Sequence, residues 1–133
     1  MRWIGWAQRK AAEEWVRERD LTQEQSFVLG YLQHTPGAIQ RDIAAITRTS
    51  AASVSSLLQG LERRGLVERR ADAGNARTKL VFATPAGIEL IAGFEDAMIA
   101  LDDVLLAPLD PSERATLQTL LQKVTAELPE PTR

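Results

Sequence analysis

A mainly helical chain carrying one small β-hairpin is the fold the sequence predicts, and three observations lead to it. Apolar residues recur at helical spacing through six separate stretches of the 133 residues. Strand-like alternation is confined to one stretch, GLVERRADAGNARTKLVFA, residues 65–83. Cap signals punctuate the helical stretches: Thr22 with Gln25, Thr84 before Pro85, and Asp110 ahead of Pro111-Ser112-Glu113.

Each element can be justified in turn. Residues 2–19 place Ile4, Ala7, Ala11 and Trp15 on one helical side, and Trp3, Trp6 and Val16 widen that apolar surface. Thr22 and Gln25 form a capping-box pair, in which each side chain satisfies a backbone N–H of the other, so a second helix opens there. It turns Phe27, Val28, Tyr31 and Leu32 inward and stops at His34-Thr35-Pro36-Gly37. Residues 38–46, AIQRDIAAI, predict a short third helix buried through Ile39, Ile43 and Ile46, although its start has no hydroxyl cap. From Ser50 to about Arg64 a fourth helix buries Val54, Leu57, Leu58 and Leu61, and Gly65 ends it. In the hairpin that follows, Gly74-Asn75 suits a turn of positive φ. A single helical stripe is then expected from Thr84-Pro85 to Leu105, and a last one carries Leu117, Leu120, Leu121, Val124 and Leu128. No repeat or low-complexity linker divides the chain, so residues 1–133 read as one domain.

Composition narrows the function. There is no cysteine, which removes disulfides, thiolate metal sites and thiol redox sensing. The single histidine, His34, sits at a helix end, where a cation suits the negative pole of the dipole. Asp102 and Asp103 are adjacent, so on a helix their carboxylates diverge and cannot share a proton. No constellation supports acid–base, nucleophilic or metal chemistry; catalytic residues, metal ligands and cofactors are all expected to be none, and the chain is not read as an enzyme. No apolar run approaches the ~20 residues of a membrane span, and the first residues read as a helix and not as an address, so a cytoplasmic location and no membrane partner are expected.

Charge is unevenly distributed. The formal net charge is −2, yet residues 38–82 hold eight Lys/Arg against four acids, a balance of +4. Residues 83–133 balance at −6 and residues 1–37 at zero. A positive middle between neutral and acidic flanks suggests one face that meets a polyanion. Short helix, turn, helix, then a hairpin with a basic tip is the winged helix-turn-helix plan: a helix about 10 Å across fits a major groove and the hairpin loop reaches the neighbouring backbone or minor groove. Opposite the buried edge of the fourth helix lie Ala52, Ser53, Ser55, Ser56, Gln59 and Arg63, a small, polar, acid-free face suited to base edges and phosphates. The wing and its flanks offer Arg69, Arg70, Asn75, Arg77 and Lys79. Arg77 is the residue expected in a narrow groove, against the alternative of a salt bridge to Asp72. The competing function is a winged-helix protein-interaction module without DNA binding, which calls for an apolar outer face on the fourth helix.

The chain resembles the MarR family of bacterial transcriptional regulators along nearly its whole length. The resemblance is carried by Leu21-Thr22-x-x-Gln25, Gln40-Arg41-Asp42-Ile43-Ala44, Ser53-Val54-Ser55, and Leu61-Glu62-Arg63-Arg64-Gly65-Leu66-Val67-Glu68-Arg69. It continues through Asp72-x-x-Asn75-x-Arg77 and Ala83-Thr84-x-x-Gly87. Two departures stand out: Asn75-Ala76 where the family has Asp and a basic residue, and Ala83 where it often has Leu. The resemblance implies a winged helix-turn-helix lobe at residues 21–84 and a helical dimerisation lobe from residues 1–20 and 85–128. It further implies a homodimer binding a pseudo-palindromic operator in double-stranded DNA on the nucleoid and acting as a repressor. A small aromatic effector is expected where the two lobes meet, with Trp15, Tyr31 and His34 as the candidate pocket.

Overall fold

A computed structural model describes residues 2–129; the ends of the 1–133 span lie outside the described residues. The chain is mainly helical with a small antiparallel sheet. In order, the elements are α1 (Arg2–Arg17), α2 (Gln23–His34), β1 (Ala38–Ile39), α3 (Gln40–Thr47), α4 (Ala51–Arg63), β2 (Val67–Asp72), β3 (Asn75–Ala83), α5 (Pro85–Ile91), α6 (Phe94–Leu105) and α7 (Pro111–Thr125). The expected caps form. Thr22 and Gln25 exchange both capping-box hydrogen bonds, Thr84 accepts from the Gly87 N–H, and Asp110 pairs reciprocally with Glu113; Ser50, not among the expected caps, also accepts from the Ser53 N–H.

Three local expectations are corrected. Residues 38–46 do not form one helix: Ala38 and Ile39 are a strand paired with Val81 and Leu80, so the sheet has three strands in the order β1-β3-β2. The Gly37 N–H already donates to the Val81 carbonyl at 3.0 Å, which feeds the next two residues into the ladder before α3 begins. The long stripe after Pro85 is also interrupted. Gly93 adopts φ +84 and separates α5 from α6, a backbone state that costs other residues ~1–2 kcal/mol. At the hairpin tip neither Gly74 nor Asn75 is left-handed. Side chains shape the turn instead: the Asp72 carboxylate accepts from the Gly74 N–H at 3.1 Å, and the Asn75 side-chain oxygen accepts from the Arg77 N–H at 3.1 Å.

The chain divides into two compact units, Glu13–Gly93 and a second made of Met1–Ala12 with Phe94–Thr132. The first has a closed core. Leu29 and Leu32 of α2, Ile43 of α3, Val54, Leu58 and Leu61 of α4, and Val81 of β3 are essentially removed from solvent. Phe27, Tyr31, Ile39, Ile46 and Leu57, expected inside, are half-buried, while Leu29 replaces them at the centre. α5 lies so close to the chain after α4 that a Cβ on Gly87 would overlap the Leu66 carbonyl. The second unit is different: α6 and α7 bury no residue, and Trp3 and Ile4 of α1, Val104 of α6 and Val124 of α7 are all exposed.

Candidate nucleic-acid interface

α3, the turn after it and α4 supply the helical part of the site. Arg48 takes φ +53 in the turn, and the Gln40 side-chain amide donates to the Ala51 carbonyl at 3.2 Å, holding the start of α4 to the start of α3. With Val54, Leu58 and Leu61 inward, helical geometry turns Ala51, Ala52, Ser53, Ser56, Gln59 and Arg63 outward, and all six are exposed. Ser55 is half-buried and so lies at the margin of that face. The Ser53 hydroxyl accepts from Ser50 at 2.9 Å and belongs to the N-cap. No acidic residue stands in the first turn of α4.

The wing divides its cations between two faces. Antiparallel pairing sets Arg69 opposite Val81 and Ala71 opposite Lys79, and residues opposite one another share a face. One face therefore runs from the buried Val67 and Val81, through Arg69, to Lys79; beyond Ala71 the register shifts, and Arg77 lies in this irregular tip. Arg70, paired with Leu80, lies on the other face, its guanidinium 4.6 Å from the Phe82 ring centre and in contact with the Glu68 carboxylate. Arg69 is also engaged. Its Nε and Nη2 donate to the two oxygens of Glu62 at 2.9 and 2.6 Å. That hydrogen bond first, then the charges of Arg69 and Lys79, hold the Glu62 carboxyl below its ordinary range against the opposing effect of burial. The same hydrogen bond raises Arg69, so the pair is fully ionised near neutrality.

Arg77 and Lys79 remain. Both are exposed, and among the described residues neither has an ion-pair partner, so Arg77 does not make the salt bridge to Asp72 weighed above. Asn75 is exposed at the tip, its side chain occupied by the Arg77 N–H. Arg64, adjacent to Arg63, points away from this surface and donates to the carbonyls of Asp20 and Arg19 at 2.6 and 3.1 Å. The sequence reading missed the roles of Glu62 and Gln40. The one signal for Glu62 was an isolated acid in the last turn of a helix that leads into a basic strand.

The three aromatic candidates are less clearly assembled. Trp15 is half-buried, with the Arg19 guanidinium 3.5 Å from its ring centre. Tyr31 is half-buried on α2, and His34 is exposed as the last residue of that helix. A groove of about 1090 Å³ occurs elsewhere, within the second unit, lined by Ile4, Leu105, Leu109, Leu117 and Leu121 among others, and by none of these three. Among the described residues no group of His, Cys, Asp or Glu could hold a metal ion, and no helix is long and apolar enough to cross a membrane.

Comparison with known proteins identifies the class. The model described as MarR family matches residues 19–78, which contain α2, α3, α4 and most of the wing. The chain belongs to the MarR family. It is 28% identical over 97 residues to a putative transcriptional regulatory protein for the hcr operon of Thauera aromatica, a match covering 73% of this chain but only 58% of that protein. It is 28% identical over 105 residues to the transcriptional regulator HosA of Escherichia coli, covering 79% of this chain and 78% of that one. Among solved structures, MepR, a transcription regulator of the Staphylococcus aureus multidrug efflux pump MepA, superposes with a TM-score of 0.84 at 31% identity, covering 96% of this chain and 95% of MepR. MepR in complex with DNA gives 0.78 at 31% identity, with 96% of each chain covered. These relatives are regulators and not enzymes.

Proposed function

We propose that the chain is a homodimeric, sequence-specific DNA-binding transcriptional regulator that acts as a repressor. One observation carries the reading: a single compact unit presents the acid-free outer face of α4 together with a wing whose Arg77 and Lys79 have no ion-pair partner among the described residues. Gln59 offers a side-chain amide for an adenine edge or a phosphate, Ala52 and Ser56 let the helix approach closely, and Arg63 and Lys79 meet the backbone. Arg77 extends from the tip towards a narrow groove. A protein-binding winged helix would need an apolar outer face, and α4 has none.

Pairing of two chains follows from the second unit. Among the described residues, nine of the ten large exposed apolar side chains lie there, eight on α1, α6 and α7 and Leu128 just beyond α7. A two-fold arrangement covers the same patch on both chains and presents two copies of α4 to a pseudo-palindromic operator. MepR has been crystallised with DNA. The regulator works in the cytoplasm, on the nucleoid. A small aromatic effector relieves repression at a site including Trp15, Tyr31 and His34, where the Arg19 guanidinium provides a donor for a carboxylate.

The test is a mobility-shift titration on the DNA upstream of its own gene. Binding is expected at ~50 mM salt, weakening steeply as salt rises because phosphate contacts release counterions. No shift at that salt rejects the proposal. A thermal-shift screen with aromatic acids examines the effector, and a flat response across the set removes it.

A further inference from the structure

We propose that Arg69 is a positioning residue: its two-pronged bridge to Glu62 ties β2 to the last turn of α4, fixing the wing cations against the helix face while withholding its own charge from phosphate. This rests on the DNA-binding reading above and refines which residues of the wing do what.

The geometry separates Arg69 from its neighbours. Both carboxylate oxygens of Glu62 are used, at 2.9 and 2.6 Å, and the planar guanidinium holds this fork in one orientation. Both side chains are largely covered, with 22% of Arg69 and 31% of Glu62 exposed, so solvent screens the pair less than a surface ion pair. The bridge lies one pair of strand positions outward from the buried Val67. Without it, α4 and the sheet are joined at this end by the turn through Gly65 and Leu66, where the Leu66 N–H donates to the Leu61 carbonyl at 3.0 Å. On the β3 side, β1 holds Val81 and Leu80, opposite Arg69 and Arg70, so the part of the hairpin beyond these positions is what can swing, and displacement grows towards the tip, where Arg77 must meet its groove. Two of the four basic residues of the wing expected to touch DNA, Arg69 and Arg70, are therefore already occupied within the protein, and Arg77 with Lys79 supplies the wing's free charge.

Four variants of the full chain test this: Arg69→Gln, Glu62→Gln, the exchange Glu62→Arg with Arg69→Glu, and Arg77→Gln for comparison. The dependence of operator affinity on salt is measured for each. Arg77→Gln is expected to reduce the magnitude of the log–log slope by about 1 per protomer, roughly 2 for a dimer. Arg69→Gln is expected to weaken binding about tenfold with the slope unchanged, and the exchange to recover most of the affinity. A slope loss in Arg69→Gln equal to that of Arg77→Gln overturns the proposal, as does an exchange no better than the single variants. Hydrogen exchange on the free protein reads the bridge without DNA. Amides of Val67–Asp72 are expected to lose protection in both single variants and regain it in the exchange, and unchanged protection overturns the proposal. Should the wild-type chain bind no DNA, the function proposed above fails, while hydrogen exchange still decides whether the bridge fixes the wing.

Discussion

Two regions of one chain solve the problem of apolar surface in opposite ways. The Glu13–Gly93 unit holds all fourteen buried apolar residues among the described ones, drawn from α1 to α5, the strands, and the connections at Leu21 and Leu66. The other unit also sets apolar residues at helical spacing but buries none of them among the described residues. Helical periodicity predicts which side of an element is apolar; it does not say whether the cover comes from the same chain. An apolar face without a cover costs roughly 25 cal/mol for each Å² left in water, so the second unit's face calls for a partner.

The largest effect should come from damage to the closed core. Leu58→Ala removes a side chain with no exposure, and a loss of about 2–5 kcal/mol is expected in urea unfolding. Val124→Asp sharpens the contrast. At 63% exposure the change should alter an isolated chain by no more than ~0.5 kcal/mol. If a second copy covers α7, the buried charge should weaken self-association by ~2 kcal/mol or more, roughly thirtyfold, as measured by analytical ultracentrifugation. Unaltered association would break the proposed division between a self-sufficient unit and a partner-dependent one. Next comes Gly87→Ala, where a Cβ must displace the Leu66 carbonyl and sits 3.2 Å from Leu29 Cδ2; about 1–3 kcal/mol of stability is expected to go, read from the thermal midpoint.

The smallest effect concerns pH. The Arg69 hydrogen bond holds Glu62 below its ordinary value of 4.5 in the folded chain. Between that value and the lower folded one, the unfolded chain binds more protons, so the contribution is complete above the ordinary value and is lost as pH falls through the folded one. Urea midpoints measured from about pH 3 to pH 6 should therefore fall less steeply in Glu62→Gln than in the wild type. An unchanged profile would show that the bridge contributes nothing to the closed unit.

What was legible in the sequence was local. Thr22 with Gln25, Thr84-Pro85 and Asp110 with Glu113 marked helix starts because capping is a contact within one turn. The outer face of α4 was legible because Val54, Leu58 and Leu61 fix the rotation of that helix. Pairings between distant segments were not. Ala38-Ile39 resembles a helix start until Val81 and Leu80 lie beside it. Gly93 falls within an apolar stripe without disturbing its spacing, since a glycine's backbone state leaves no mark in periodicity. The basic residues of the wing could be counted but not sorted, because whether Arg69 or Arg77 finds an acid depends on the twist and register of two strands.

The three tryptophans are divided between the two units in a useful way. Trp3 and Trp6 stand at 81% and 51% exposure, edge to face at 6.2 Å, in the unit that lacks a core, while Trp15 is tucked under Arg19 in the other. An indole's emission moves to the blue as water leaves its surroundings. The unlabelled molecule thus carries its own optical gauge of the proposed pairing: if two copies cover Trp3 and Trp6, dilution that separates them should redden the emission before the helical circular dichroism of the closed unit changes.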